Sequence, residues 1–217
     1  MPRRKSLYRE ALRGLAPLLR TPDDPVTVPA GVPATIEVGM GAGHVIVGRA
    51  RTEPGRYFVG LEIKEERTYQ AARIAEADGI RNLVFVVGEI SRTEAAIPSA
   101  RFDEILILFP DPWPKKRDAA RRLFSARYLA IFERWMTPGA RGILRSDNPA
   151  VLVSALAALP GAGCEITATC ADVAPEAQQT RYEARFRSEQ QRIGEIRFLW
   201  PSPVASARPP KAPVPAR

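Results

Sequence analysis

The sequence predicts a doubly wound, Rossmann-like α/β fold: a mostly parallel sheet with an antiparallel strand near the C-terminus. Three observations lead there. Short apolar runs alternate with helix-length stretches five times, joined by only a few residues, the pattern of a parallel sheet with helices on its faces. The runs are almost continuously apolar, as in Ile105-Leu106-Ile107-Leu108, where a half-exposed strand would alternate. Two late apolar runs, residues 164–170 and 195–200, follow the alternation with only a polar stretch between them, which suits an antiparallel addition at the edge.

Each element has its own signal. Residues 35–38 form a strand that ends in Gly39-Met40-Gly41-Ala42-Gly43, and a helix is expected over 44–51. A second strand over 57–61 ends at Glu62 and leads into a helix over 66–78, stopped by Gly79. The third strand, 83–87, ends at Gly88-Glu89, and the fourth, Phe102 to Leu108, runs into Phe109-Pro110-Asp111-Pro112-Trp113-Pro114-Lys115-Lys116-Arg117. A helix over 125–136 stops at Thr137-Pro138-Gly139, a fifth strand over 140–144 ends at Arg145-Ser146-Asp147, and a helix follows over 149–159. The folded body is therefore expected at 31–200. Residues 1–30 form a basic N-terminal extension, expected to be partly disordered, with Leu7, Leu12, Leu15 and Leu18 spaced as on a short helix; 201–217 read as a disordered Pro/Ala-rich basic tail.

Composition narrows the function classes. Lys and Arg number 32 against 24 Asp and Glu, a net charge of +8 that suits a polyanionic partner. Most of the cations are arginine, whose fork recognises phosphate. Two cysteines (Cys164, Cys170) and one histidine (His44) rule out a Cys/His zinc centre, so no metal is expected. No apolar run approaches membrane-spanning length and the N-terminus lacks a signal-peptide core, so the expectation is a cytoplasmic protein without membrane contact.

In an open parallel sheet, ligands bind outside the carboxyl ends of the strands. Here those ends carry Glu37, Glu62, Glu89, Asp111 and Asp147. Carboxylates converging on one crevice repel unless a ligand brings donors or positive charge. The glycine spacing, Gly39-x-Gly41-x-Gly43, departs from the dinucleotide fingerprint, since His44 stands where its third glycine belongs. Glu37 is also a poor neighbour for a pyrophosphate, which argues against a nicotinamide dehydrogenase. Glu62 is placed to accept the hydroxyls of a ribose.

This pattern resembles the S-adenosylmethionine loop of class I methyltransferases, whose cofactor carries an ammonium and a sulfonium. Within that frame, Phe109-Pro-Asp-Pro-Trp-Pro-Lys-Lys-Arg resembles the signature of the tRNA (guanine-N7)-methyltransferase family. The match extends through Ile36 to Gly43, Val59-Gly-Leu-Glu-Ile, the basic stretch 117–127, Ser146-Asp147 and Thr180-Arg181-Tyr182-Glu183.

The resemblance implies transfer of a methyl group from S-adenosylmethionine to N7 of a variable-loop guanine in tRNA, by a monomer or homodimer. It assigns Glu37, Glu62, Glu89 and Asp111, with Gly39, Gly41 and Gly43, to the cofactor pocket, and it assigns Lys115, Asp147, Thr180, Arg181, Tyr182 and Glu183 to the RNA or guanine side. Asp111 is the candidate catalytic group, as a positioner and electrostatic stabiliser of guanine. Lys116, Arg117, Arg121 and Arg122 read as a phosphate-binding rim, alternatively as a solvated face; Trp113 reads as a base-stacking group or as packing over the sheet end. Departures from the family pattern are Glu89 for the usual Asp or Asn, Pro114 for His, and Asp118-Ala119-Ala120 inside the basic run. The alternatives are an amino-methyltransferase acting on another nucleic acid or a protein, against which the order Asp-Pro-Trp-Pro argues, and a non-catalytic RNA-binding member of the fold, which would lose the strand-end acids.

Overall fold

The computed structural model describes residues 14, 15, 18–99 and 101–202. Among these residues the strands are β1 (Leu19–Arg20), β2 (Ala34–Val38), β3 (Tyr57–Glu62), β4 (Leu83–Val87), β5 (Phe102–Leu108), β6 (Met136–Ser146), β7 (Glu165–Cys170) and β8 (Gly194–Leu199). They form one sheet in the order β1-β4-β3-β2-β5-β6-β8-β7. Pairing is parallel from β1 through β6, and β8 runs antiparallel to both of its neighbours. The helices are α1 (His44–Thr52), α2 (Glu65–Ala77), α3 (Ile90–Thr93), α4 (Ala126–Trp135), α5 (Pro149–Ala158) and α6 (Arg181–Ser188).

The central strands are apolar throughout because both faces are covered. On one face α1 and α2 contribute Ile46, Val47, Ala71, Ala72 and Ala75 to a cluster with Phe58, Leu83 and Phe85. The alanines of α2 let its backbone lie close to the sheet. On the other face α4 and α5 bring Leu129, Phe132, Trp135, Val151 and Ala155 against Ile36, Val59 and Ile105. In α4 the buried positions 128, 129, 131, 132 and 135 form one stripe of a 3.6-residue helix. Asn148 caps α5 by accepting from the Ala150 amide, with Pro149 in the first helical turn where its missing donor costs nothing.

Several expectations change. Thr137-Pro138-Gly139 is no break between elements: β6 starts at Met136 and carries a bulge there, with Phe102 opposite Met136 and Glu104 already opposite Arg141. Directly after Leu18, the last of the leucines expected on a short helix, the chain forms a two-residue strand that pairs with β4; Leu15, Leu18, Val26 and Val28 are all buried. Leu7 and Leu12 lie outside the described residues, as does most of the tail. The polar stretch between the last two strands holds α6. Cys164 is buried and Cys170 exposed, both free, and among the described residues no cluster of His, Cys, Asp or Glu could hold a metal ion. No helix among them is long and apolar enough to cross a membrane.

Candidate active site

The chain winds from β2 through β3 to β4 in one direction, then starts again at β5 and winds through β6 in the other. The order reverses between β2 and β5, so the crevice at their carboxyl ends lies between the loop 39–43 and the turn that begins at Phe109. Along the sheet, the predicted acids follow strand order: Glu89 after β4, Glu62 on β3, Glu37 on β2, Asp111 after β5 and Asp147 after β6.

Their environments differ sharply. Glu37 is 1% exposed beneath the start of α1. The Ile46 amide donates to its carboxyl, but Oε2 has no hydrogen-bond partner. Burial dominates and pushes its pKa up to about 8, helped by the Glu62 charge and opposed by the Ile46 amide and Arg49. Glu62 is 4% exposed and ties the glycine loop to β3: Oε2 accepts from the Gly41 amide and Oε1 from the Lys64 amide, each at 2.9 Å. Gly41 takes a left-handed φ of 58°, which turns that amide toward the carboxylate. At Gly43 a side chain is also excluded by space, since a Cβ would lie 2.7 Å from the Ala71 Cβ.

Glu89 caps α3. Its Oε2 accepts from the amide and hydroxyl of Ser91, and its Oε1 from the Tyr128 hydroxyl at 2.7 Å. Burial alone would raise its pKa; the Ser91 and Tyr128 hydrogen bonds outweigh that and hold the carboxyl below its usual range. Glu89 thereby links the end of β4 to Tyr128 on α4.

Asp111 is exposed, in a turn bracketed by two residues with left-handed backbone, Phe109 (φ 52°) and Trp113 (φ 42°). For bulky side chains such conformations cost about 1–3 kcal/mol each and persist only where the surroundings impose them. The Phe109 amide donates to the Arg145 carbonyl at 2.8 Å, and the Phe109 ring meets Phe186 of α6 at 5.8 Å.

Lys115 is exposed, as are Lys116, Arg117 and Arg121 of the expected cationic rim. Arg122 is turned inward: it donates to the carbonyls of Trp113 (3.1 Å) and Pro114 (3.3 Å). The Arg121 guanidinium lies over the Trp113 ring at 4.8 Å, so one face of that ring is already covered. Asp147 is half-buried beside Ser146, whose hydroxyl accepts from the Asn148 amide.

Residues 176–188 reach from α1 and α2 to Phe109 after β5 and Arg145 at the end of β6. Gln178 packs against Gly48 of α1, burial and, second to it, the nearby Arg181 charge lower the pKa of His44 of α1, and the Tyr182 hydroxyl accepts from Arg67 of α2 at 3.2 Å. Thr180 caps α6 by accepting from the Glu183 amide at 2.9 Å. Glu183 itself faces inward, with no solvent exposure, paired with Arg187 at 2.7 Å and Arg145 at 3.7 Å. It anchors the segment and touches no open surface, unlike Arg181 and Tyr182, which are exposed. Arg145, 3% exposed at the end of β6, also binds Glu195 of β8 at 2.7 Å and pairs with Glu176. Arg145 is absent from the residues expected at the site; its one sequence signal is a charge that closes an apolar strand.

An open sheet with this strand order, a glycine loop after the first long strand and an acid on the next strand define a class I methyltransferase fold. A family model described as "Putative methyltransferase" matches residues 32–196. A tRNA (guanine-N(7)-)-methyltransferase of Limosilactobacillus fermentum is 30% identical over 78% of this chain and 81% of its own length, and one from Cereibacter sphaeroides is 29% identical over 76% and 69%. The chain belongs to the tRNA (guanine-N7-)-methyltransferase family. Among solved structures, a 16S rRNA (adenine(1408)-N(1))-methyltransferase from Catenulisporales acidiphilia, determined with cosubstrate SAM, superposes with a TM-score of 0.64 at 18% identity over 95% of this chain and 94% of that one.

Proposed function

We propose that this methyltransferase uses S-adenosylmethionine to methylate N7 of a variable-loop guanine in tRNA, acting in the cytoplasm through a body at 31–200. The observation that carries the reading is the pairing, across the switch point, of a buried half-satisfied Glu37 with an exposed Asp111 held in a strained turn. When bound, S-adenosylmethionine supplies an electrophilic methyl group on a sulfonium. The unpartnered Oε2 of Glu37 fits a cationic amine, which would satisfy a buried acceptor. Each oxygen of Glu62 accepts one bond, so each retains an acceptor site, the number a ribose diol needs. Glu89 already accepts three bonds and keeps one site for an adenine amine.

The reacting guanine nitrogen bears a free lone pair, so no side chain has to remove a proton before attack. Asp111 instead accepts from N1–H and the N2 amino group. This fixes the ring for in-line attack and offsets the positive charge that grows on it. Lys115 to Arg121, Arg181 and Tyr182 surround this position with cations and an aromatic face suited to RNA. The deciding experiment incubates the protein with labelled S-adenosylmethionine and an unmodified tRNA transcript, followed by borohydride–aniline cleavage. Label transfer with cleavage at one variable-loop guanine is expected; cofactor binding without transfer would sink the enzymatic assignment.

Glu37 couples this binding to pH. With a pKa of about 8 its carboxyl is mostly protonated at pH 7, and pairing with an ammonium would ionise it. Titration calorimetry at pH 7 in buffers of different ionisation enthalpy should show close to one proton released per cofactor, and Glu37→Gln should abolish that release. The free protein gives the complementary sign. The folded pKa lies above the unfolded one, so Glu37 favours the folded state most below pH 4.5, and that contribution is lost as pH rises to about 8. Relative to Glu37→Gln, wild-type stability should fall across this window by up to about 1.4 kcal/mol per pH unit.

A further inference from the structure

The turn after β5 has little means of holding itself. Prolines at 110, 112 and 114 remove three amide donors, and the backbone at Phe109 and Trp113 is left-handed on either side of Asp111. Its restraint comes from two ends. At the start, the Phe109 amide is held by the Arg145 carbonyl and its ring by Phe186. At the far end, Arg122 spreads its guanidinium across two successive carbonyls, Nε to Trp113 and Nη2 to Pro114. The first of those carbonyls belongs to the strained residue itself. Arg121, one residue earlier, lays its guanidinium on the Trp113 ring. A planar fork can satisfy both carbonyls together, which a lysine ammonium on a flexible stem cannot reproduce.

We propose that Arg122 is a positioning residue for methyl transfer: its guanidinium holds Trp113 in the left-handed conformation that presents Asp111, and it makes no phosphate contact. The inference rests on Asp111 being the guanine-facing group, as set out above. It divides the basic run by task. Lys116 and Arg117 project into solvent and serve the RNA backbone, whereas Arg122 serves the shape of the turn.

The test compares Arg122→Lys and Arg122→Gln with wild type in steady-state methylation of a tRNA transcript at several salt concentrations. Loss of the fork displaces Asp111, and a misplacement of that kind lowers kcat by about 100-fold. KM for tRNA and the dependence of log affinity on log salt should stay as in wild type for Arg122→Lys, because the charge is kept. In a Lys116→Ala, Arg117→Ala double variant the salt slope should instead fall by about two units, one per phosphate contact.

Acrylamide quenching of tryptophan fluorescence reads the turn without any activity. Trp135 and Trp200 are 1% and 2% exposed, so accessible emission reports Trp113, and quenching should increase in both Arg122 variants with the thermal midpoint retained. Wild-type kcat in Arg122→Lys, or in Arg122→Gln a salt slope lowered by about one unit with kcat retained, would overturn the proposal. If wild type itself left tRNA unmethylated, the functional reading would fail, and Trp113 quenching alone would then decide: increased access upholds the Arg122 contact and unchanged access refutes it.

Discussion

Asp111→Asn should lower kcat for guanine methylation by about 100-fold, the usual scale for losing one preorganised electrostatic contact at a reacting group. The substitution is nearly isosteric and the side chain is exposed, so the thermal midpoint should not move. Asparagine replaces one acceptor oxygen with a donor that faces the N1–H and N2 donors of guanine, and it removes the negative charge that balances the ring as it is methylated. Because that charge develops only on the way to the transition state, kcat and kcat/KM should fall together and KM for tRNA should change little. Single-turnover methylation, with cofactor binding measured in parallel, provides the check. Full turnover in the variant would remove Asp111 from the chemistry.

Arg145→Met carries the largest expected effect on stability. The guanidinium is 3% exposed and meets Glu195 and Glu183, which are 5% and 0% exposed. Removing one member of a buried charge cluster strands the others and costs about 3–5 kcal/mol. Arg187 still pairs with Glu183, and Arg197 with Glu195 at 2.6 Å, so the lower end, about 3 kcal/mol, is expected. In a chain of this size that corresponds to a drop of roughly 6–12 °C in thermal midpoint. Adding Glu183→Gln should recover part of the loss, since it removes a stranded charge, and urea titrations of the two single variants and the double variant would measure the coupling. Strictly additive losses would mean that Arg145 and Glu183 do not interact.

The sheet was largely legible because its strands are buried on both faces and so appear as unbroken apolar runs, and the end of α2 was legible in Gly79, whose φ is 66°. The strand-end acids were legible because parallel strands deliver their carboxyl ends to one edge. What those acids do once there was not: Glu62 bonds the Gly41 amide, and Glu89 reaches Tyr128 39 positions away, contacts that depend on how separate strands are brought together.

α6 escaped for a different reason. Its sequence, Arg181-Tyr-Glu-Ala-Arg-Phe-Arg-Ser, is mostly charged, and its fully buried member is Glu183, so it lacks the apolar stripe that marks a packed helix. The spacing of Thr180 and Glu183 does fit a helix start, and it is the one local signal for this helix. The contacts of Arg122 with the Trp113 and Pro114 carbonyls were not legible, because sequence reports a cation without reporting which way it turns.

β8 is antiparallel to the strands on both sides, so β7 runs parallel to β6 and ends at the same edge of the sheet. The connection from β7 to β8 therefore has to emerge beside the crevice. A crossover to a parallel strand would have carried that connection away to the opposite edge. Reversing a single strand thus adds one more loop to the substrate end without lengthening any other. That loop, residues 171–193, is fixed to the sheet at Glu176 and Glu183, which meet Arg145, and at Phe186, which meets Phe109, while the residues between these anchors add no strand pairing. The two exposed residues at the start of α6, Arg181 and Tyr182, reach that edge of the sheet by this route.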